Sequence, residues 1–491
     1  MYSFKKEIIC FSLLLLSSCL SLTEQELTQN LLEVPTIAST AKQGINSGYF
    51  QEGAWPEKQW WHIYNDSALA LLMQQAIDNN PSIQSIQKKV ELARQNAKVV
   101  RAQLFPLLFF DATETWQYLS HNGLYRAFNP KIPIGGNLVD LSLSFTYEFD
   151  FWSKNLNGFR AALGQAKADQ AEAAQVELIT TTAVAQAYFA LKTNITKHKV
   201  LKRLTDLSYQ IYSLQRLLKD KALYSKLVPL VGAEDYHGAQ KLLVAIEEEI
   251  EVDKHLINIL VGRGPDHQIE IDEQISSLPL QLTLPESLGI DLLARRPDLM
   301  AQIWRVEALS KDVAIAKADF YPNVNLIGLA GLESIAYSLL FKKSSSTAAL
   351  KPAIHLPIFT AGAIRANVRA KKAAFDQAVF EYNQQILQST KEVADVIVYA
   401  QSIYKQKELQ EKIVKEASDL YNLVELRHTK GLDDVLSVYA KGIALAQKEL
   451  EDIALLYNQY VASIKLIKSL GGGYSSEYMP IQAPGEITNG S

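Results

Sequence analysis

The clearest pattern in the chain is a strict alternation of apolar and polar residues over positions 141–151. The apolar positions are Leu141, Leu143, Phe145, Tyr147, Phe149 and Phe151. A period of two residues puts every apolar side chain on one face of a β-strand. A less regular alternation over residues 107–118, where Glu114 interrupts the apolar face, predicts a second strand beside it.

Two further alternating runs predict a second pair of strands later in the chain. The first covers residues 324–332 and the second residues 350–358. Pro352 and Pro357 lie in the second run, and proline lacks the N–H that a central strand needs. The sequence therefore predicts four strands in two pairs, the last of which is the least regular.

Two very long helices are predicted because residues that break helices are absent. No glycine or proline occurs between Gly164 and Pro229, or between Gly362 and Gly431. A helix of about 65 residues is roughly 100 Å long, far more than a compact domain needs. Its apolar residues recur about every 3.5 positions, which is typical of a helix that packs on other helices along a narrow seam. Shorter helices at about 233–261 and 432–470 would close each long helix into a hairpin.

The same elements occur twice in the same order, which indicates an internal duplication. The matched dipeptides, with both pairs of prolines 216 positions apart, are Asn80-Pro81 with Arg296-Pro297 and Phe105-Pro106 with Tyr321-Pro322. The expected divisions are a linker at 19–54, a first repeat at 55–262, a linker at 263–285, a second repeat at 286–470 and a flexible tail at 471–491.

The N-terminus has the pattern of a bacterial lipoprotein signal. A lysine pair precedes a short apolar run, and small residues lead to Cys19. Residues 1–18 are therefore the predicted signal peptide and Cys19 the predicted lipidation site. Leu20 follows in place of the aspartate that would favour the inner membrane. An ordinary secretory signal with a chance cysteine is the alternative. Cys10 would leave with the signal, so no disulfide would stabilise the mature protein.

The strands are compatible with either a membrane β-barrel or a soluble sandwich. In the membrane interpretation, lipid meets the face formed by Leu141, Leu143, Phe145, Tyr147 and Phe149. Four strands cannot close into a hollow barrel, and open sheet edges are not tolerated in lipid. Two chains would give eight strands with a filled interior, whereas three would give twelve strands and a water-filled lumen. The membrane interpretation therefore predicts a homotrimer.

Composition and charge exclude several classes of function. The 491-residue chain has a formal net charge of −4, so a nucleic-acid partner has no electrostatic support. None of the eight histidines has metal-site spacing, and neither a nucleophile motif nor a phosphate-binding loop occurs. We therefore expect no catalytic residue, no metal and no cofactor, and the chain is not expected to be an enzyme.

The motifs, taken together and in this order, resemble the outer membrane factors, the TolC-like channels, and specifically the lipoprotein branch that serves RND-type efflux pumps. The resemblance covers about residues 12–474 and rests on Cys19, Trp60-Trp61, Asn80-Pro81, Tyr147-Glu148-Phe149-Asp150-Phe151-Trp152, Arg295-Arg296-Pro297-Asp298-Leu299, Ala318-Asp319-Phe320-Tyr321-Pro322, Leu356-Pro357-Ile358-Phe359, Lys430-Gly431-Leu432 and Leu470-Gly471-Gly472-Gly473-Tyr474.

This resemblance implies a mainly α fold with a small membrane β part. The expected assembly is a homotrimer with an α-helical barrel across the periplasm and a twelve-stranded β-barrel, four strands per chain, in the Gram-negative outer membrane. It would be lipid-anchored, dock a periplasmic adaptor (membrane fusion) protein and an inner-membrane pump, and export drugs, metals or other small molecules. A related group of channels exports proteins by type I secretion, which is an alternative function.

In this family the adaptor binds the turns of the helical hairpins at their periplasmic end. The second repeat matches at Arg427, Lys430, Gly431 and Leu432, and Gly431 permits the left-handed conformation of a tight turn. The first repeat has no glycine around Lys221-Ala222-Leu223. Either its turn is built differently or it lies elsewhere.

Gating is a second departure from the family pattern. Many relatives carry acidic residues six and nine positions after the turn glycine, where this chain has Ser437 and Ala440. Asp433 and Asp434 are candidates for an acidic ring in the lumen, since threefold symmetry would gather six carboxylates. The simpler interpretation, which we favour, is a solvated charge pair that caps the next helix.

The leading hypothesis is thus a passive export conduit. A periplasmic coiled-coil lipoprotein that acts as a scaffold without a pore is the alternative, and the strand at 141–151 is the feature that such a scaffold does not need. A periplasmic enzyme would be a third class, but no residue is a candidate for its chemistry.

Overall fold

The computed structural model describes residues 31–269, 278, 281–285, 288 and 291–476. The predicted signal peptide, Cys19 and the end of the predicted tail lie outside the described residues. The helices are α1 (Ala38–Asn46), α2 (Ser67–Asn79), α3 (Pro81–Ala102), α4 (Leu124–Phe128), α5 (Lys154–Asp220), α6 (Leu227–Leu260), α7 (Asp291–Arg295), α8 (Pro297–Ala318), α9 (Tyr337–Leu340), α10 (Ala363–Thr429) and α11 (Val435–Ser469).

The strands form a four-stranded and a two-stranded sheet. They are β1 (Phe50–Gly53), β2 (Leu107–Tyr118), β3 (Gly135–Phe149), β4 (Leu282–Pro285), β5 (Asn323–Ser334) and β6 (Ser346–His355). The larger sheet is antiparallel in the order β2-β3-β5-β6. β1 and β4 pair in parallel near the helices.

The boundaries of β3 and β6 correct the sequence prediction. β3 begins at Gly135, six residues before the alternation, and ends at Phe149, so Phe151 lies outside the strand. β6 ends at His355, which leaves Leu356, Pro357 and Ile358 outside it. Pro352 lies within β6, which is an edge strand of the chain's own sheet.

Both long helices are present as predicted. α5 and α10 each contain 67 residues, which corresponds to about 100 Å. Each one folds back against a shorter helix, α5 against α6 and α10 against α11. α6 begins at Leu227, earlier than predicted, because Pro229 fits in the first turn, where its missing N–H needs no partner.

The largest part of the core lies where α2 and the 3₁₀ turn Trp60–Tyr64 pack on the middle of α5. Phe189 stacks on Tyr460 at 3.9 Å between ring centroids, which joins the first hairpin to the second. Asp66 caps α2 by accepting the Leu69 N–H, and its other oxygen accepts from Lys192 at 2.9 Å. The Trp60-Trp61 motif is therefore a packing element.

Within the described part of the chain, no helix is both long and apolar enough to span a bilayer.

Candidate functional site

The four-stranded sheet has one mainly apolar face, which Glu114 and Asn137 interrupt near one end. Side chains directly opposite each other in an antiparallel pair share a face. The register places Phe110, Leu143, Ala330 and Ala348 in one row across β2, β3, β5 and β6. The five residues predicted to meet lipid all lie in β3 on this face; they are Leu141, Leu143, Phe145, Tyr147 and Phe149. All twelve residues of β2 are exposed, so the face is not buried inside a soluble body.

The opposite face of the sheet carries most of its polar side chains, several of them hydrogen-bonded, although Phe109, Ile327 and Leu329 also lie on it. Ser144 donates to Asp111 at 2.9 Å across the β2–β3 pair. Ser142 donates to Asp140 at 2.6 Å, and Asn323 donates to Glu148 at 2.9 Å. A face of this kind is suited to contact with water.

Each chain leaves the sheet incomplete. β2 and β6 are its two edges, and each pairs with a single strand. The unpaired backbone groups of two such edges would have no partners in a lipid environment. The sheet therefore becomes suitable for a membrane only when other chains complete it.

The two repeats close their helical hairpins with equivalent contacts. The Asn80 amide donates to the Leu260 carbonyl at 2.8 Å, at the end of α6. The Arg296 guanidinium donates to the Ser469 carbonyl at 3.0 Å, at the end of α11.

A glycine with positive φ follows each of these carbonyls, Gly262 in the first repeat and Gly471 in the second. An added Cβ at either glycine would collide with the backbone of Asn79 or Arg295 respectively. The matched Asn-Pro and Arg-Pro motifs of the sequence thus join the two ends of each repeat.

Arg296 also holds a buried charge network. Its side chain forms a bidentate pair with Asp298 at 2.7 and 3.1 Å and contacts Glu392 at 2.9 Å. Burial alone would raise the pKa of Asp298, but the hydrogen bonds and charge of Arg296, with a bond from Gln385, hold that pKa below its ordinary value. The Arg-Arg-Pro-Asp motif therefore has a structural role between α8, α10 and α11.

Both hairpin tips have the same turn geometry, which resolves the alternatives left open for the first repeat. Gly431 has φ +72°, and the Leu432 N–H donates to the Arg427 carbonyl at 2.9 Å. Ala222 has φ +59°, and the Leu223 N–H donates to the Leu218 carbonyl at 2.9 Å. The first turn therefore lies at Lys221-Ala222-Leu223, and an alanine occupies its left-handed position.

The two aspartates after Gly431 are both engaged in local contacts. Asp433 forms a bidentate ion pair with Arg427, at 2.7 and 3.0 Å, and hydrogen bonding to Arg427 lowers the pKa of Asp433. Asp434 caps α11 by accepting the Ser437 N–H at 2.7 Å, and hydrogen bonds from the Ser437 side chain and backbone lower the pKa of Asp434. These contacts agree with the capping interpretation, while the acidic ring in the lumen stays a prediction.

Exposed leucines surround both tips, and Leu227 is the one that the sequence pattern did not single out. Leu432 is 66% exposed in the second turn, and Leu223 and Leu227 are each 69% exposed in the first. Leu223 and Leu432 each come directly after the left-handed residue of their turn. Among the described residues, no group of histidine, cysteine, aspartate and glutamate side chains could hold a metal ion.

Comparison with known proteins agrees with this geometry. A family profile described as outer membrane efflux protein matches residues 72–218 and 288–472. The multidrug resistance outer membrane protein MdtQ of Escherichia coli O6:H1 is 29% identical, over 96% of this chain and 99% of the relative. MdtP of Escherichia coli K12, also called a multidrug resistance outer membrane protein, is 28% identical over 87% of this chain and 89% of the relative.

Solved structures show the same fold. The outer membrane protein VceC of Vibrio cholerae aligns with a TM-score of 0.76 and 27% identity, over 86% of this chain and all of that protein. The outer membrane channel CmeC of Campylobacter jejuni aligns with a TM-score of 0.80 and 20% identity, over 87% of this chain and 90% of that one.

The fold, with an exposed sheet at one end and helical hairpin tips at the other, defines the class of protein. It is an export channel subunit of the bacterial outer membrane, with the trimeric α-barrel and β-barrel architecture of TolC-like proteins. The chain belongs to the outer membrane efflux protein family. Channels of this family in multidrug efflux systems are homotrimers that work with an adaptor and an inner-membrane pump.

Proposed function

We propose that three copies of this chain form a passive conduit that exports small molecules, drugs among them, as the outer-membrane part of a tripartite efflux system. The relatives named for multidrug resistance support this substrate class. We further propose that residues 55–262 and 286–470 are the two repeats, since their closing contacts are equivalent.

One observation carries the proposal: an exposed sheet with an apolar face and two open edges continues directly into hairpins of about 100 Å. Strands of twelve residues span about 40 Å, or roughly 30 Å of height when tilted as in membrane barrels. That height suits the apolar core of a bilayer. The hairpins then extend away from the membrane, where a partner can reach their tips.

The proposed docking surface for the adaptor comprises Arg427, Lys430, Gly431 and Leu432 of the second tip. We extend it to Leu223 of the first tip, because both turns present a leucine after a left-handed residue. Gly431→Val should weaken adaptor contact more than barrel assembly, since the turn lies at the far end of the hairpin from the sheet.

Leu432→Asp tests this docking surface. The substitution should weaken adaptor binding about tenfold or more, because it replaces an apolar contact of roughly 1.5–3 kcal/mol with a charge. The measurement is photo-crosslinking in cells to a co-expressed periplasmic adaptor. Leu71→Asp is the matched control, since Leu71 is 60% exposed on α2, away from the tips. Equal crosslinking in both variants would remove Leu432 from the proposed surface.

The substrate class is tested by deletion and complementation. Loss of the gene should lower the inhibitory concentrations of several unrelated drugs, and the intact gene should restore them. Unchanged drug sensitivity together with loss of a secreted protein would instead assign the channel to type I secretion.

We also propose that Cys19 carries the lipid anchor, on the basis of the signal pattern alone. Cys19→Ser should abolish incorporation of labelled palmitate. Incorporation that persists in this variant would contradict the assignment.

A further inference from the structure

The loop between β5 and β6 lies over the apolar face of the sheet. Glu114 shares a face with Ala112 and Trp116, because side chains two positions apart in a strand point the same way. The Tyr337 hydroxyl donates to Glu114, and the Asn137 amide donates to the same carboxylate at 2.9 Å. Tyr337 reaches across β3 to make this contact. Residues 335–345 therefore lean towards the side that faces lipid in the proposed barrel and away from the lumen.

The loop is anchored and presents two lysines. Leu340 is buried, at 5% exposed, whereas the next residue, Phe341, is 79% exposed. The Leu339 carbonyl accepts the Lys342 N–H at 2.9 Å and the Ser345 hydroxyl at 2.8 Å, so the turn that carries the lysines is hydrogen-bonded. Lys342 and Lys343 are both exposed. We call Tyr337, Phe341, Lys342 and Lys343 the rim patch.

The rim patch is at the end of the sheet far from the helical hairpins. β2 starts five residues after α3 and runs away from it to Tyr118, and β5 and β6 are joined at the same end. Trp116 and Tyr118 are 78% and 75% exposed on the apolar face there. Aromatic rings followed by basic side chains are typical of the boundary between acyl chains and headgroups.

Both loops at this end of the sheet are positively charged. Residues 335–345 contain Lys342 and Lys343 and no carboxylate. Residues 119–134, the other loop at this end, contain Arg126 and Lys131 and no carboxylate. The chain as a whole has a net charge of −4, so the positive loops are a local feature that complements an anionic surface.

We propose that the rim patch binds the phosphate groups of anionic lipids in the outer leaflet, with Phe341 in the acyl boundary and Lys342 and Lys343 at the headgroups. This inference rests on the proposed barrel, because that barrel places the apolar face against lipid. Three copies of the patch surround one channel.

The test is a titration of the purified channel, in non-ionic detergent, with phosphorylated bacterial lipopolysaccharide. The double variant Lys342→Ala/Lys343→Ala should bind about 30-fold more weakly, since each lysine near an anionic surface contributes roughly a factor of five. Lys351→Ala is the matched control, because Lys351 lies in β6 on the polar face and its loss should leave binding unchanged. Lys342→Arg/Lys343→Arg should retain binding. Dephosphorylated lipid should bind weakly to every variant.

Several results would overturn the inference. Equal affinity in the parent and in a correctly assembled double alanine variant would overturn it alone and leave the proposed function intact. So would loss of trimers in that variant, which would make the patch a contact between copies. If inorganic phosphate displaced the lipid at concentrations similar to those at which the lipid binds, the rim patch would be a site for small anions and not for lipid. A parent chain found outside the outer membrane would overturn the proposed function as well.

Discussion

At the scale of single residues, the two hairpin tips form the same turn with different residues at its left-handed position. Both turns need a left-handed residue, which glycine adopts freely and alanine adopts at a cost. The second repeat has Gly431 there, and the first has Ala222. The first tip is therefore the more strained of the two.

Ala222→Gly should stabilise the channel by up to about 1 kcal/mol per chain, because it removes this cost. Gly431→Ala should destabilise it by a similar amount. Gly238→Ala is the matched control: an added Cβ meets nothing within 4 Å at either glycine, but Gly238 lies inside a helix, where alanine is favoured. Denaturant unfolding of the three variants measures the effect. A stabilised Gly431→Ala variant would contradict the account.

Arg296 is the residue whose loss should cost most. Arg296→Ala would leave Asp298 without its charged partner in a largely buried site, at a cost of about 3–5 kcal/mol, whereas the half-exposed Glu392 should lose little. Lys391→Ala, which breaks the exposed pair with Asp395, should change stability little.

The cost of Arg296→Ala should also depend on pH. The pKa of Asp298 is lowered in the folded parent. The ionised carboxylate therefore contributes fully to the free energy of unfolding above the unfolded pKa of about 3.9, and this contribution is lost as pH falls through the folded pKa. Without Arg296, burial raises the pKa of Asp298, and its contribution is instead lost as pH rises through that raised value. The parent and the Arg296→Ala variant are unfolded at pH 4 and at pH 7. The substitution should lower the free energy of unfolding less at pH 4 than at pH 7. The opposite order would contradict the assigned network.

At the scale of elements, the sheet depends on close approach between β3 and β5. An added Cβ at Gly331 would lie 2.7 Å from the Ser142 Cα, as well as against the Leu141 carbonyl. Gly328, on the opposite face of the same strand, has room, since its nearest neighbours would be side-chain atoms at 3.6 Å.

Gly331→Ala should therefore reduce barrel assembly, by roughly 1–3 kcal/mol, whereas Gly328→Ala should be close to neutral. The fraction of heat-resistant trimer on a mild-detergent gel reports assembly. If both variants assembled like the parent, the β3–β5 register would be wrong.

Local sequence predicted the elements better than their ends. The two long helices followed from the absence of breakers, and β3 followed from its alternation. Its true start was missed because Gly135 and Gly136 indicate a loop locally, although they pair with Tyr118 and Gln117 of β2. The turn at Ala222 was unresolved for the same reason, since only the packed hairpin forces alanine into a left-handed conformation. The contacts of Asn80 with Leu260 and of Arg296 with Ser469 join distant segments, so no local pattern revealed them.

At the scale of the whole molecule, the duplication accounts for the architecture. Each repeat supplies two strands of the larger sheet and one helical hairpin. One chain therefore has two pairs of strands and two hairpin tips. The sheet of one chain has two free edges, β2 and β6, and a closed barrel requires β6 of one copy to pair with β2 of the next. With three copies, this pairing closes a barrel of twelve strands.

Disulfide trapping between these edges tests threefold closure. Ala112→Cys in β2 is combined in turn with Ala348→Cys, Leu350→Cys or Ile354→Cys in β6, and the single-cysteine variants serve as controls. A disulfide within one chain is excluded, because β2 and β6 are separated by two strands, roughly 14 Å. The account predicts that at least one pairing gives covalent species of two and three chains and no larger ones. Monomers at every pairing, or a ladder that continues beyond three chains, would contradict it.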